Sequence, residues 1–139
     1  MAGPLAAAGL TPHPSDVVHS DFTRDGGRRA ARDLLADDTI TAIIASSDTQ
    51  SIGLLAEAHA QGRRVPDDLS VVAFDGTEVS RYARPALTAI EQPIEALAAG
   101  ALGLVLASLA DPDRPAEHIA LPSNLAIRAS TGTPRTIPG

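Results

Sequence analysis

The chain has 139 residues, 44% of them hydrophobic and only 2% aromatic, so it is long enough for one domain whose core is built from Ala, Leu, Ile and Val. It contains no cysteine, and all eleven basic residues are arginine, which excludes disulfides, thiolate catalysis, and Schiff-base or phosphate-loop lysines on this chain. A net charge of −6 and a pI near 5.0 leave no electrostatic footprint for nucleic acid.

The first residues, "MAGPLAAAGLTPHP", lack the positive flank and long apolar centre of a secretory signal and read as the last turns of a helix. "DVVHSDF" (16–22) is predicted to be a strand. In "RDGGRRAARDLLADD" (24–38), Ala30, Ala31, Leu34 and Leu35 share one helical face opposite Arg28, Arg29 and Arg32. The glycines before that helix do not form a G-x-G-x-x-G pattern and read as a helix-start turn. "ITAIIAS" (40–46) is a strand apolar on both faces, as a covered parallel strand requires. Asp48 is the expected N-cap of the helix "TQSIGLLAEAHAQ" (49–61), which Gly62 and Pro66 stop. "LSVVAFDG" (69–76) is a third strand of the buried type, and 77–93, with two prolines, reads as a loop plus a short strand.

No apolar run reaches the roughly 18–20 residues of a membrane span, and the most hydrophobic stretch, "IEALAAGALGLVLASLAD" (94–111), carries Glu95 and two glycines, so it reads as a buried helix. "AEHIALP" and "NLAIRAST" are two short strands separated by Pro122, and 132–139 is expected to be a disordered tail. Strand–helix alternation with short connections predicts an α/β fold, a parallel sheet with helices on both faces.

Ligands of such sheets lie beyond the carboxyl ends of the strands. The residues there are Asp21 and Phe22, Ser47 and Asp48, and Asp75. Carboxylates accept pairs of hydroxyl protons and a ring packs on a sugar or base face, so this set suits a polar small molecule. Each residue also has a plain reading: Asp48 as a cap, Ser47 bonding local backbone, Phe22 in the core, Asp75 as a turn residue beside Gly76. The four histidines, His13, His19, His59 and His118, show no metal-ligand spacing, and no G-x-S-x-G elbow occurs, so neither a metal site, a cofactor nor a hydrolase triad is expected.

The linked order of "TAIIASSDTQSIGLLAEAHAQGRRVPDDLSVVAFDGTEVSRYARPALTAIEQP" and the closing "LPSNLAIRAST" resembles the lactose/galactose-repressor (LacI/GalR) family of bacterial transcription regulators, over about residues 5 to 131. The resemblance implies an incomplete lobe of the periplasmic-binding-protein type, the C-terminal part of an effector-binding domain, spanning 1–92 and 123–131. Residues 93–122 would belong to an N-terminal lobe whose remainder, like the helix-turn-helix and hinge helix, is absent from the chain. It assigns effector contacts to Phe22, Ser47 (an Asn in the family) and Asp75, with Gln92 and Ile94 lining the cleft, and homodimer contacts to Ile52 and Tyr82. Ala73 and Ala89 are further departures, each replacing another small residue. The implied effector is a sugar or polyol, with DNA bound only through the absent domain. The composition points to the cytoplasm and no membrane contact. A piece of a periplasmic sugar-binding protein is the alternative, and an enzyme using Asp75 or Asp48 as acid or base is a third reading.

Overall fold

The computed structural model describes residues 9, 11 and 13–136; the helix expected at the N-terminus lies almost wholly outside them. The elements are α1 (Arg24–Leu34), β1 (Ala42–Ile44), α2 (Asp48–Ala60), β2 (Ser70–Asp75), α3 (Glu78–Tyr82), β3 (Thr88–Glu91), α4 (Ile94–Ala110) and β4 (Asn124–Ala126). The four strands form one sheet in the order β1-β2-β3-β4. β1, β2 and β3 are parallel, with Ile43 opposite Val71 and Ala73 opposite Ala89, whereas β4 returns antiparallel, Leu125 facing Ile90. The sheet is therefore mixed, not wholly parallel.

β2 is central, and its inward residues Val71 and Ala73 are sealed, together with Leu69 just before it, Leu87 just before β3 and Ala89 within β3. Leu54 and Ala58 of α2, Ala31 of α1 and Leu35 complete the core without an aromatic. Each buried leucine contributes about 1.5–3 kcal/mol by leaving water. Ser130 pins the chain's return across the sheet. Its hydroxyl donates to the Val71 carbonyl at 2.5 Å and accepts the Thr88 N–H at 2.8 Å.

Four sequence expectations need correction. Residues 16–22 are not a strand: a 3-10 turn, Pro14–Asp16, leads into extended chain without ladder bonds to β1. Residues 116–122 form no strand either, because β4, beginning at Asn124, takes the edge of β3. The segment 77–93 contains helix α3 as well as β3. The tail has a defined path to residue 136: the Gly132 N–H donates to Ser70 Oγ at 3.1 Å, and Arg135 reaches the Asp38 carbonyl.

α4 departs from expectation in another way. It is apolar nearly all round, as read, yet none of its seventeen residues is buried. Leu102, Val105, Leu106 and Leu109 are between 55% and 74% exposed and lie on one helical face. The helix does not fold back onto its own sheet. No described helix is long and apolar enough to cross a membrane.

Candidate functional site at the carboxyl ends of the strands

β1, β2 and β3 all end at one edge of the sheet, and their last residues run directly into polar groups. The Ser47–Asp48 pair after β1 begins α2. Ser47, not Asp48, is the N-cap: its Oγ accepts the Gln50 N–H at 3.1 Å. The same hydroxyl donates to Gln50 Oε1 at 3.1 Å, and Ser47 is buried. Both functions of the Ser47 hydroxyl thus turn toward the helix start.

Asp48 is the first residue of α2 and only 2% exposed. Its Oδ2 accepts both the N–H and the hydroxyl of Thr77, each at 2.6 Å, whereas its Oδ1 is buried without a hydrogen-bond partner among the described residues. The Thr77 hydroxyl is drawn away from α3, which starts without a side-chain cap. One carboxylate oxygen therefore ties the end of β1 to the turn after β2.

Asp75 ends β2 with φ of +110°, the only positive φ among the described non-glycine residues, and Gly76 follows at +71°. A Cβ on Gly76 would stand 2.6 Å from Glu91 Cα, so the turn is pressed against β3. Asp75 Oδ1 accepts from Gln92 Nε2 at 2.9 Å, and Oδ2 accepts weakly, at 3.4 Å, from the Asp48 N–H at the positive end of α2. A carboxylate has about four acceptor positions, so hydroxyl protons of a ligand can still be taken here. Beside it, Asn124 and then Arg128, at 2.6 Å, hold the Glu91 carboxyl below its ordinary value.

The structure thus bonds Asp48, Asp75 and Gln92 into one cluster, whereas Ser47 bonds instead to Gln50. Phe22 is connected to Gln50 through its neighbour, since the Asp21 carbonyl accepts from Gln50 Nε2 at 3.1 Å. Phe22 is 71% exposed, not core. Ile94, 59% exposed at the start of α4, stands two residues beyond Gln92. Ile52 and Tyr82 do not join the cluster: Ile52 packs against the core, and Tyr82, at the end of α3, is 70% exposed.

Sequence reasoning missed Gln50, Thr77, Ser20 and Ser46. Gln50 alone carried a signal, an uncharged amide near the start of a helix otherwise rich in small and apolar residues. It lies at the polar end, with Ser20 and Ser46, of a cavity of about 720 Å³ bounded by 16–20, α1 and β1. That cavity is also lined by Leu34, Ile43 and Leu54 and by the polar Asp16, His19 and Thr41, and none of Phe22, Ser47, Asp75, Gln92 or Ile94 lines it. Among the described residues no cluster of three or more histidine or acidic side chains is placed to hold a metal.

A family model described as "Periplasmic binding protein-like domain" matches residues 3–131. The ribose operon repressor of Halalkalibacterium halodurans is 36% identical over 116 residues, covering 83% of this chain and 35% of its own length. A solved transcriptional regulator CelR–cellobiose complex superposes with a TM-score of 0.85 at 34% identity, over 91% of this chain and 39% of that one. A LacI family transcriptional regulator from Enterococcus faecium, with bound ribose, gives a TM-score of 0.77 at 28% identity, over 91% and 47% of the two chains. The chain spans between 35% and 39% of the length of four curated relatives it matches. These relatives are named as transcription regulators, neither enzymes nor transporter components.

Proposed function

Because the chain belongs to the periplasmic binding protein-like domain family, in its LacI/GalR transcription-regulator branch, we propose that it is the effector-sensing part of such a regulator, binding a neutral sugar or polyol at the carboxyl edge of its sheet. The observation that carries this reading is Asp75, a carboxylate held on left-handed backbone by Gln92 and the start of α2. Strained backbone persists where the surroundings over-determine it, and such places cluster at ligand sites. Phe22 supplies an exposed ring for a sugar face, and Ile94 an apolar contact. Ser47 differs, since its hydroxyl already serves Gln50, so contact from this position runs through Asp75 and Gln92 instead. The relatives solved with cellobiose and ribose support the ligand class.

In this reading residues 93–122 belong to a second lobe, and the effector lies between the lobes. It biases regulation only by binding the closed arrangement more tightly than the open one. DNA binding resides in a separate domain, and the regulator acts in the cytoplasm as a homodimer with Tyr82 and Ile52 at its contact.

A thermal-shift screen of sugars, ribose and cellobiose first, against the full-length protein tests the reading. One sugar is expected to raise Tm in a concentration-dependent way. Asp75→Asn and Phe22→Ala are each expected to weaken that response at least roughly tenfold, the loss of a charge-assisted bond or a stacking contact. A sugar response that both variants leave unchanged would remove the site from this edge of the sheet.

A further inference from the structure

We infer that Gln50 is a positioning residue that fixes the backbone under Phe22 and so presents its ring at the rim of the sheet. The inference rests on the reading that Phe22 meets the effector.

Residues 17–22 have no ladder partner in the sheet, so something else must hold them. Gln50, only 6% exposed, fills all four places its amide offers. Oε1 accepts from Ser46 Oγ at 2.7 Å and Ser47 Oγ at 3.1 Å. Nε2 donates to Ser20 Oγ and to the Asp21 carbonyl, each at 3.1 Å. One side chain thus bridges the strand-end pair to the two residues before Phe22.

The bridge cannot drift, because its own backbone is wedged. A Cβ on Gly27 would stand 2.2 Å from the Gln50 carbonyl oxygen, so α1 and α2 touch backbone to backbone there. Asp21 is gripped from the far side as well: a Cβ on Gly26 would lie 2.3 Å from its carbonyl oxygen. On the other flank of Phe22, Thr23 caps α1 through the Gly26 N–H at 2.9 Å. Phe22 therefore has anchored neighbours on both sides and is itself 71% exposed. An exposed ring on immobilised backbone needs little further ordering when a ligand stacks on it, which is what preorganisation means energetically.

Two properties of the amide separate this role from general packing. Gln50→Glu keeps the acceptor side toward Ser46 and Ser47 but loses both donated bonds; Gln50→Met keeps the volume and loses everything polar. The chain holds only two phenylalanines, Phe22 and Phe74, so 4-fluorophenylalanine labelling gives two ¹⁹F signals, the second an internal control within β2. Without any ligand, both variants are expected to shift or broaden the Phe22 signal and leave Phe74 in place. An unmoved Phe22 signal in both, or movement of both signals together, would overturn the positioning role. Should either variant fail to fold, Ser20→Ala removes one donated bond from the half-buried side and is read by the same two signals.

Ribose, added to the full-length protein and to its Gln50→Glu variant, separates the two ideas. It should shift the Phe22 signal, and the concentration needed should rise roughly tenfold in Gln50→Glu. If ribose and cellobiose leave Phe22 untouched while Gln50→Glu still displaces it, the effector contact fails and the positioning role stands.

Discussion

In the proposed reading, Asp75 is worth more to the site than to the fold. At φ of +110° a side chain crowds its own backbone, a cost of order 1–3 kcal/mol that glycine avoids. On ordinary backbone a glycine is less stable than an alanine by about 0.5–1 kcal/mol; here the order should invert. Asp75→Gly is expected to be about 1–2 kcal/mol more stable than Asp75→Ala in urea titration, while both lose sugar binding. The ordinary order, with alanine ahead, would show that the turn relaxes and carries no strain. The neighbouring pair marks a limit of the sequence at this scale. Ser and Asp are nearly equal N-caps, so the sequence places a cap at 47–48, and the expected choice, Asp48, was the wrong one of the two. The choice falls to Ser47 because Thr77 captures the Asp48 carboxylate from 29 residues away, a contact no local pattern encodes. Asp75 was legible because a strand ending in Asp-Gly announces both a turn and an acceptor.

At the scale of elements, α1 and α2 form the firmest pair, and glycine makes it possible. A Cβ on Gly53 would lie 1.9 Å from the Arg24 carbonyl oxygen and 2.7 Å from the Arg28 nitrogen, both backbone atoms that cannot turn aside. Gly53→Ala is therefore expected to cost about 3 kcal/mol, the upper range for overpacking, although alanine is the better helix former. A neutral or stabilising result in chemical denaturation would mean that the two helices slide freely. The same pair is tied by charge. Arg32 and then Arg28, with Gln61, hold the buried Glu57 carboxylate at about 2, down from 4.5. A depressed carboxylate contributes stability that is present above its unfolded value of 4.5 and is lost as pH falls through about 2. Tm should accordingly fall from pH 4.5 toward pH 2, and Glu57→Gln should flatten part of that fall. Asp68, held at about 2 by Arg64, keeps its own share in that variant. An unchanged acid profile in Glu57→Gln would rule out the Arg–Glu tie as its source. The long periodic elements were legible in sequence: residues 40–46, 49–61 and 69–76 contain β1, most of α2 and β2. Residues 16–22 were misread because alternation reports a half-buried extended chain but not its partner, and here Gln50, not a neighbouring strand, supplies the bonds.

For the whole molecule the unresolved force is α4. Seventeen residues with one charge, Glu95, and no buried position leave a stripe of Leu102, Val105, Leu106 and Leu109 facing water. A contiguous apolar patch of this kind is rare on a monomer and marks a surface that another surface covers. Net charge of −6 opposes close approach of two copies, but α4 carries little of it, so its face is where repulsion is weakest and apolar gain largest. In the proposed two-lobe arrangement the second lobe would cover this helix; for the 139-residue chain itself, another copy is the available partner. Sedimentation velocity at micromolar to tens of micromolar concentration is expected to show self-association that higher salt strengthens, as screened repulsion and retained hydrophobic attraction demand. Leu102→Asp with Leu106→Asp, one turn apart on the same face, should return the chain to a monomer without disturbing the sheet, since neither residue touches the buried core. A monomeric unmodified chain across that range, with α4 intact by circular dichroism, would show that an isolated apolar helix can remain uncovered in water and would remove self-association as the consequence of its exposure.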